Sequence, residues 1–473
     1  MSDPNLDLAI IGAGPGGYVS ALRAAHAGLR VALIEENEPG GVCLHTGCIP
    51  TKTMAAGVGL LRKAQAARLT GLTLDLGENH LGQINLRRHT VVTNLAQGVH
   101  QLLAKSTVEV IQGRAKLLSA DEIEITPREG EPTVMPRPPA LILATGSRPI
   151  DLPIAPRDGR SILNSDDILS LEEAPRRFLI LGGGYIGCEF ASIFAALGSE
   201  VTLVEMEPRL LPGMDTDLAK LLQRQFKSQG ITLHLGRRME SATAETGEVT
   251  LTLDDGQTLT GDRLLVAVGR TPNTESLGLD AAGVDCDGAA IRVNDRLETN
   301  VTGIYAIGDV TGQMQLAHVA TAQGRVVVDN LLDTGTGARM DYEQVPAAVF
   351  THPEIATIGL TTEQAEAREI PVCTGKFPFA AIGKALAEGE RDGFVKLIAH
   401  AETGKLLGGH IIGGHAAEMI GQITLAIRLG ATAQQLAETI FAHPTLSEAV
   451  LEAAESTFGQ ATHLPKSRER NPR

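Results

Sequence analysis

The chain of 473 residues contains no tryptophan, and aromatic residues make up only 3 % of it. Broad aromatic platforms for stacking bases or sugars are therefore scarce. It has no excess of basic charge either. A formal net charge of -15 argues against a nucleic-acid binder, whose affinity rests on Lys and Arg at phosphates. No apolar run approaches the roughly 18 to 20 residues a membrane helix needs. Met1 to Leu6 is polar and leads into an apolar strand rather than into a signal peptide, so a cytoplasmic location is expected. Five cysteines are too few for a disulfide framework at this length, and a reducing compartment keeps most of them as thiols. No low-complexity linker separates the domains that the length demands, roughly three by size alone.

What the chain has in quantity is glycine, 52 residues, without a fibrous period. Leu6 to Ile11 is a short apolar run that meets Gly12-Ala13-Gly14-Pro15-Gly16-Gly17. Tyr18 to Ala27 then reads as a helix, Gly28 stops it, and Val31 to Ile34 leads to Glu35. This is the pattern of a dinucleotide-binding unit. Gly12 permits the tight turn, Gly14 lets backbone approach a pyrophosphate, and Gly17 lets helix and strand pack closely. Glu35 is placed to accept hydrogen bonds from ribose hydroxyls, and the helix N-terminus faces the phosphates.

The pattern recurs. Phe178 to Leu181 precedes Gly182-Gly183-Gly184-Tyr185-Ile186-Gly187, a helix from Cys188 to Leu197, Gly198, and Val201 to Val204 ending at Glu205. Glu35 lies 23 residues beyond Gly12, and Glu205 the same 23 beyond Gly182. One such loop is weak evidence; two with matching spacing imply two dinucleotides. The acidic Glu205 favours a free ribose 2′-hydroxyl, hence NAD over NADP at the second site, where Gly182, Gly184, Gly187 and Gly269 are the other contacts expected. Ala144-Thr145-Gly146-Ser147 and Val268-Gly269-Arg270-Thr271 read as counterpart stretches at the ends of the two units. Beyond about Asp341 the texture changes, with antiparallel strands at 394–400 and 405–412 and Ala/Leu-rich helices to Ser456.

Cys43 and Cys48 stand out. Positions five apart on a regular helix point in different directions, so the pair needs a distorted turn to meet. Gly40, Gly41 and Gly47 offer that freedom. Half of a zinc site is one alternative, weakened because no second such pair completes four ligands. Two unpaired thiols is another. No metal is expected. Cys188, Cys286 and Cys373 have no partner by spacing and read as packing residues.

The stretch Gly40-Gly41-Val42-Cys43-Leu44-His45-Thr46-Gly47-Cys48-Ile49-Pro50-Thr51-Lys52 resembles the redox-active segment of the pyridine nucleotide–disulfide oxidoreductases, and within them the branch acting on dihydrolipoyl groups. The resemblance runs from Leu8 to about Phe458. It implies an α/β fold with two Rossmann-like domains, for FAD and NAD, and a C-terminal α+β dimerisation domain. The boundaries expected are 1–148 and 272–343 for the two parts of the FAD domain, 149–271 for NAD and 344–473 for dimerisation. It implies a redox disulfide in which Cys43 exchanges with substrate and Cys48 lies against the flavin. Lys52 matches the lysine near the flavin, with Glu189 as its partner. Gly12, Gly14, Gly17, Glu35, Thr145, Gly146, Asp309 and Ala317 match FAD contacts.

His443-Pro444-Thr445-Leu446-Ser447-Glu448 matches the family's base. Pro444 suits a first helical position, leaving Glu448 to orient His443. The implied partners are a second copy of the chain and a lipoylated carrier: a 2-oxoacid dehydrogenase complex, the glycine cleavage system or another lipoate-bearing protein. Two places depart from the family pattern. Val319 stands where lysine is common, and Ala380–Ala385, with Ile382 and Lys384, lacks the usual Asn and Arg. These leave the redox core intact and put the identity of the lipoyl partner in question. A binding or sensing flavoprotein is the reading from another class, opposed by the intact Cys43, Cys48 and His443. Cysteines beyond Cys373, which a mercuric reductase would carry, are missing.

Overall fold

The computed structural model describes residues 6–67, 71–75, 77–333 and 337–465. The chain forms two compact units, Met1–Glu173 with Val268–Asp341, and Ala174–Ala267 with Tyr342–Arg473.

The first unit is built on five parallel strands in the order Ile304–Ala306, Ala140–Leu143, Leu8–Ile11, Val31–Glu35, Glu109–Gln112. Ala140–Leu143 and Leu8–Ile11 are apolar throughout, and Val31–Glu35 up to its last residue, because both faces are covered. Alternate residues feed opposite cores: Ala9, Ile11, Ala32 and Ile34 pack into one, and Leu8, Ile10, Val31 and Leu33 into the other. The helix Pro15–His26 lies against Ala317–Leu331. A Cβ on Gly324 would sit 2.0 Å from Ser20 Oγ, so the two helices meet at a residue without a side chain. On the other face, Arg114–Leu117, Glu122–Thr126 and Thr133–Pro136 form an antiparallel meander.

The second unit repeats the arrangement. Thr232–Leu235, Glu200–Glu205, Arg177–Leu181 and Arg263–Val266 run parallel in that order, with the helix Tyr185–Ala196 following the second glycine loop. Both helices begin three residues before the expected Tyr18 and Cys188, because Pro15 and Tyr185 already carry helical geometry. Gly28 (φ 93°) and Gly198 (φ 94°) terminate them as expected.

The same unit carries an antiparallel sheet in the order Ala347–Val349, Glu354–Gly359, Leu406–Gly413, Phe394–His400, Val372–Pro378. The helices Ala416–Arg428 and Glu448–Ser456 cover it. Gly375 is required there, since a Cβ would lie 2.1 Å from Ala453 O. A buried charge crosses this packing. Lys396 Nζ sits 2.9 Å from Asp215 Oδ2 and 3.2 Å from Asp217 Oδ2, fixing the N-terminus of helix Thr216–Ser228 to the sheet. Among the described residues no helix is long and apolar enough to cross a membrane.

Candidate active site

Each glycine loop is closed by its own acidic residue. Glu35 Oε2 accepts the Ala13 N–H at 2.6 Å and Oε1 accepts that of Asn37 at 2.8 Å. Glu205 repeats this, with Oε2 taking Gly183 N–H at 2.5 Å and Oε1 that of Glu207 at 2.7 Å. The carboxylates therefore first brace the loops; each oxygen retains a second lone pair for a ribose hydroxyl. Gly12 (φ 99°) and Gly182 (φ 109°) lie in the left-handed region. A Cβ on Gly17 would stand 1.8 Å from Gly12 O, and one on Gly187 1.9 Å from Gly182 O.

Gly14 and Gly184 are different: a Cβ there meets nothing within 4 Å. They open onto free space at helix N-termini that carry no side-chain cap. Uncapped N–H groups facing an open loop suit a pyrophosphate, and both sites fit a dinucleotide.

The cysteine pair is tied to the first loop. Cys43 lies in the short helix Gly41–His45 and Cys48 begins the helix Cys48–Ala66, with a break at Thr46–Gly47 between them. That break brings the side chains within hydrogen-bonding reach as two free thiols, the reduced form of the pair rather than the disulfide that the resemblance implies. Gly40 (φ 113°) and Gly41 (φ 59°) supply left-handed backbone. Gly47 instead permits close approach, since its Cβ would be 3.0 Å from Val42 O. Gly40 N–H donates to Ala13 O at 2.8 Å, and a Cβ on Gly41 would come within 2.7 Å of Gly14 Cα. The pair is thus held beside the open part of the first loop. The hydrogen bond with Cys48 and burial hold the Cys43 thiol well above its usual range, while the charge of Lys52, one turn beyond Cys48, acts the other way.

Thr145 and Gly146 are held by the counterpart stretch. Thr145 Oγ1 donates to Asn273 O at 2.8 Å, Asn273 N–H donates to Gly146 O at 2.9 Å, and Ser147–Pro149 pairs antiparallel with Arg270–Pro272. Gly269 (φ 126°) begins that returning stretch. Asp309 lies in a single helical turn after Ile304–Ala306 and accepts from Ser147 Oγ at 2.6 Å. Burial pushes its carboxyl above the usual range, against the Ser147 hydroxyl and the Arg270 charge. Ala317 starts the helix against which Pro15–His26 packs.

In the second unit, Glu189 is buried in Tyr185–Ala196 and accepts the Phe350 N–H at 2.9 Å, so it is no solvated surface charge. His443 Nδ1 is 2.8 Å from Glu448 Oε1, and Glu448 Oε2 accepts the Thr445 N–H at 2.9 Å. The His443 side chain is 78 % exposed in the single chain.

Two sequence expectations are corrected. Pro444 does not open the helix: the His443–Pro444 bond is cis and helix Glu448–Ser456 begins four residues later. Glu448 still reaches His443, from the first position of that helix. Cys286 does not pack but is exposed at a short strand; Cys188 is fully buried and Cys373 intermediate. Val319 is fully buried and Ile382 nearly so, while Lys384 pairs with Glu388 at 2.9 Å. His463 pairs with Glu452.

Sequence reasoning missed several neighbours of the site. Arg270 forks onto Ser147, and Gln323 accepts the Gly308 N–H at 2.6 Å. Tyr18 lies near Cys43, and burial raises its hydroxyl above the usual range. Asp166 is raised by burial, opposed by the Arg270 charge and by the hydroxyl of Thr46, which sits between the two cysteines. None of these carries a motif of its own.

The family described as pyridine nucleotide-disulphide oxidoreductase matches residues 6–324, and its dimerisation domain matches residues 345–454. The chain is 42 % identical over 465 residues to the dihydrolipoyl dehydrogenase of Chlamydia muridarum, covering 98 % of this chain and 99 % of that one. It is 39 % identical over 470 residues to one from Bacillus subtilis, covering 97 % and 99 %. Among solved structures, LpdA from Mycobacterium tuberculosis superposes with a TM-score of 0.89 at 32 % identity, covering 95 % of this chain and 99 % of that one. The HOCl-induced flavoprotein disulfide reductase RclA from Escherichia coli, in its Cu(II) complex, gives 0.86 at 31 % identity with the same coverages.

Proposed function

Because the chain belongs to the pyridine nucleotide–disulfide oxidoreductase family, we propose that it is the dihydrolipoyl dehydrogenase its sequence resembles, returning dihydrolipoyl groups to the disulfide with NAD as acceptor. The observation that carries this reading is the Cys43/Cys48 pair, set across a helix break and bonded through Gly40 to the first dinucleotide loop. FAD and NAD are its cofactors. When bound, FAD supplies a two-electron carrier between thiol and hydride chemistry.

The protein's own residues handle sulfur and protons. His443 Nδ1 is engaged by Glu448, so Nε2 is the nitrogen that takes a proton from a substrate thiol. The substrate thiolate attacks Cys43 Sγ; the mixed disulfide forms, the Cys43–Cys48 bond breaks, and Cys48 leaves as thiolate. The second substrate thiol then attacks the substrate sulfur of the mixed disulfide. The lipoyl disulfide closes and leaves, and Cys43 departs with the electron pair. Hydrogen bonding to Cys48 and burial favour protonation of Cys43 at that point. The pair now holds two electrons for the cofactors. Lys52 and Glu189 are assigned to the flavin side, Thr145, Gly146, Asp309 and Ala317 to FAD contacts, and Gly269 to NAD.

The domain boundaries 1–148, 149–271, 272–343 and 344–473 belong to the same proposal. So do a homodimer, for which the chain carries the family's dimerisation domain, a cytoplasmic site of action and a lipoylated carrier as physiological donor. Steady-state turnover of dihydrolipoamide tests the reading. NAD should be reduced and NADP far less efficiently, because Glu205, assigned to the ribose hydroxyls, would repel a 2′-phosphate. Equal kcat/KM with the two nucleotides would remove Glu205 from that role, and no turnover of dihydrolipoamide with either would overturn the substrate assignment.

A further inference from the structure

We propose that Ser147 is a positioning residue for flavin binding, locked by Arg270 so that its only proton is committed to Asp309 Oδ2 and Asp309 keeps Oδ1 for the cofactor. A guanidinium has five N–H donors and no acceptor. Arg270 Nε lies 2.8 Å from Ser147 Oγ and Nη2 lies 2.7 Å from Ser147 O. Ser147 Oγ must therefore accept from Arg270, which leaves its single hydrogen for the Asp309 oxygen 2.6 Å away.

Ser147 is 3 % exposed, so water offers it little alternative. Cross-strand pairing of Ser147 with Pro272 holds both stretches in register. Among the described residues no protein donor reaches Asp309 Oδ1, and Gln323 fixes the backbone just before it through Gly308 N–H. Alanine at 147 would leave Arg270 Nε and Asp309 Oδ2, both half-buried, without this partner.

The same geometry sets a pH dependence. Burial raises the Asp309 carboxyl, and the Ser147 hydroxyl and Arg270 charge pull it back. A carboxylate that accepts from a flavin hydroxyl loses that capacity as pH falls through its pKa. Without Ser147 the carboxyl rises further, so the loss begins at a higher pH.

The inference rests on the assignment of Asp309 to FAD, and the experiment separates the two. FAD release from purified holoenzyme is followed by flavin fluorescence, from about pH 5 to about pH 8, for native protein, Ser147→Ala, Ser147→Thr, Arg270→Lys and Asp309→Asn. Ser147→Ala should release FAD about tenfold faster at neutral pH, with its acid acceleration displaced to higher pH. Ser147→Thr should restore both. Arg270→Lys, which keeps the charge and loses the fork, should follow Ser147→Ala and decides the matter if the alanine variant yields no folded holoenzyme. Asp309→Asn should release FAD quickly with no acid step. Native release from Ser147→Ala or Arg270→Lys, alongside fast release from Asp309→Asn, overturns the proposal. Native release from Asp309→Asn overturns instead the assignment beneath it.

Discussion

Glu448 shows what a single side chain contributes. Burial would raise its carboxyl, yet the Thr445 N–H and the bond to His443 outweigh it and hold it below the usual range. A carboxylate so depressed stays ionised throughout the neutral range, and its hold on His443 is lost only as pH falls through the lowered pKa. Replacing His443 by Gln should cost about 10²-fold or more in turnover. Glu448→Gln should cost less, about tenfold, and by a constant factor from about pH 6 to about pH 8. A native-to-variant ratio that drifts to one within that window would show that Glu448 is not the group orienting His443. At this scale the chemistry-bearing residues were legible, because thiol exchange needs Cys43 and Cys48 and proton transfer needs a histidine near a carboxylate. Ser147, Arg270 and Asp166 were not. Ser147 meets Arg270 and Asp309 across separations of 123 and 162 residues, and nothing local announces such contacts.

The glycine loops were legible as elements for a steric reason. Only glycine can stand where a Cβ would fall 1.8 Å from Gly12 O or 1.9 Å from Gly182 O. Backbone cannot yield to such an overlap, so alanine there forces the helix off the strand. Gly17→Ala should give a protein that loses its FAD. Gly187→Ala should keep FAD but raise the KM for NAD by roughly tenfold to a hundredfold, from overpacking of about 1–3 kcal/mol. The checks are flavin content after gel filtration and steady-state kinetics; a Gly187→Ala protein devoid of FAD would reverse the assignment of the two loops. Element boundaries were read less well. Pro15 and Tyr185 fall inside helices whose starts were placed at Tyr18 and Cys188, since glycine in the first turn hides a helix from a periodicity reading. Pro444 misled in the opposite sense. Proline favours a first helical position, but Thr445 to Ser447 intervene before the helix begins at Glu448.

For the whole molecule, two observations point beyond one chain. The dimerisation domain of the family matches residues 345–454, and His443 within it is 78 % exposed although oriented by Glu448. A base so displayed fits a site completed by a second copy, with two identical sites under two-fold symmetry. Re-pairing Cys48→Ser chains with His443→Gln chains should then yield heterodimers with one whole site and up to about half the native turnover per dimer. Verified heterodimers without recovery would place His443 in the site of its own chain. The overall architecture could be read early because the strand–loop–helix unit occurs twice with one spacing. The C-terminal sheet was read only in part. Its strand Phe394–His400 is buried along nearly its whole length and carries Lys396 inside, a charge no apolar pattern predicts.

In the proposed reaction, electrons pass from a dihydrolipoyl group to NAD through Cys43 and Cys48. Anaerobic mixing of FAD-loaded protein with dihydrolipoamide and NAD tests it most directly. Native protein should form NADH over repeated turnovers, while Cys43→Ser and Cys48→Ser, with the same flavin content, should form none above background. NADH formation at the native rate by either variant would contradict the account.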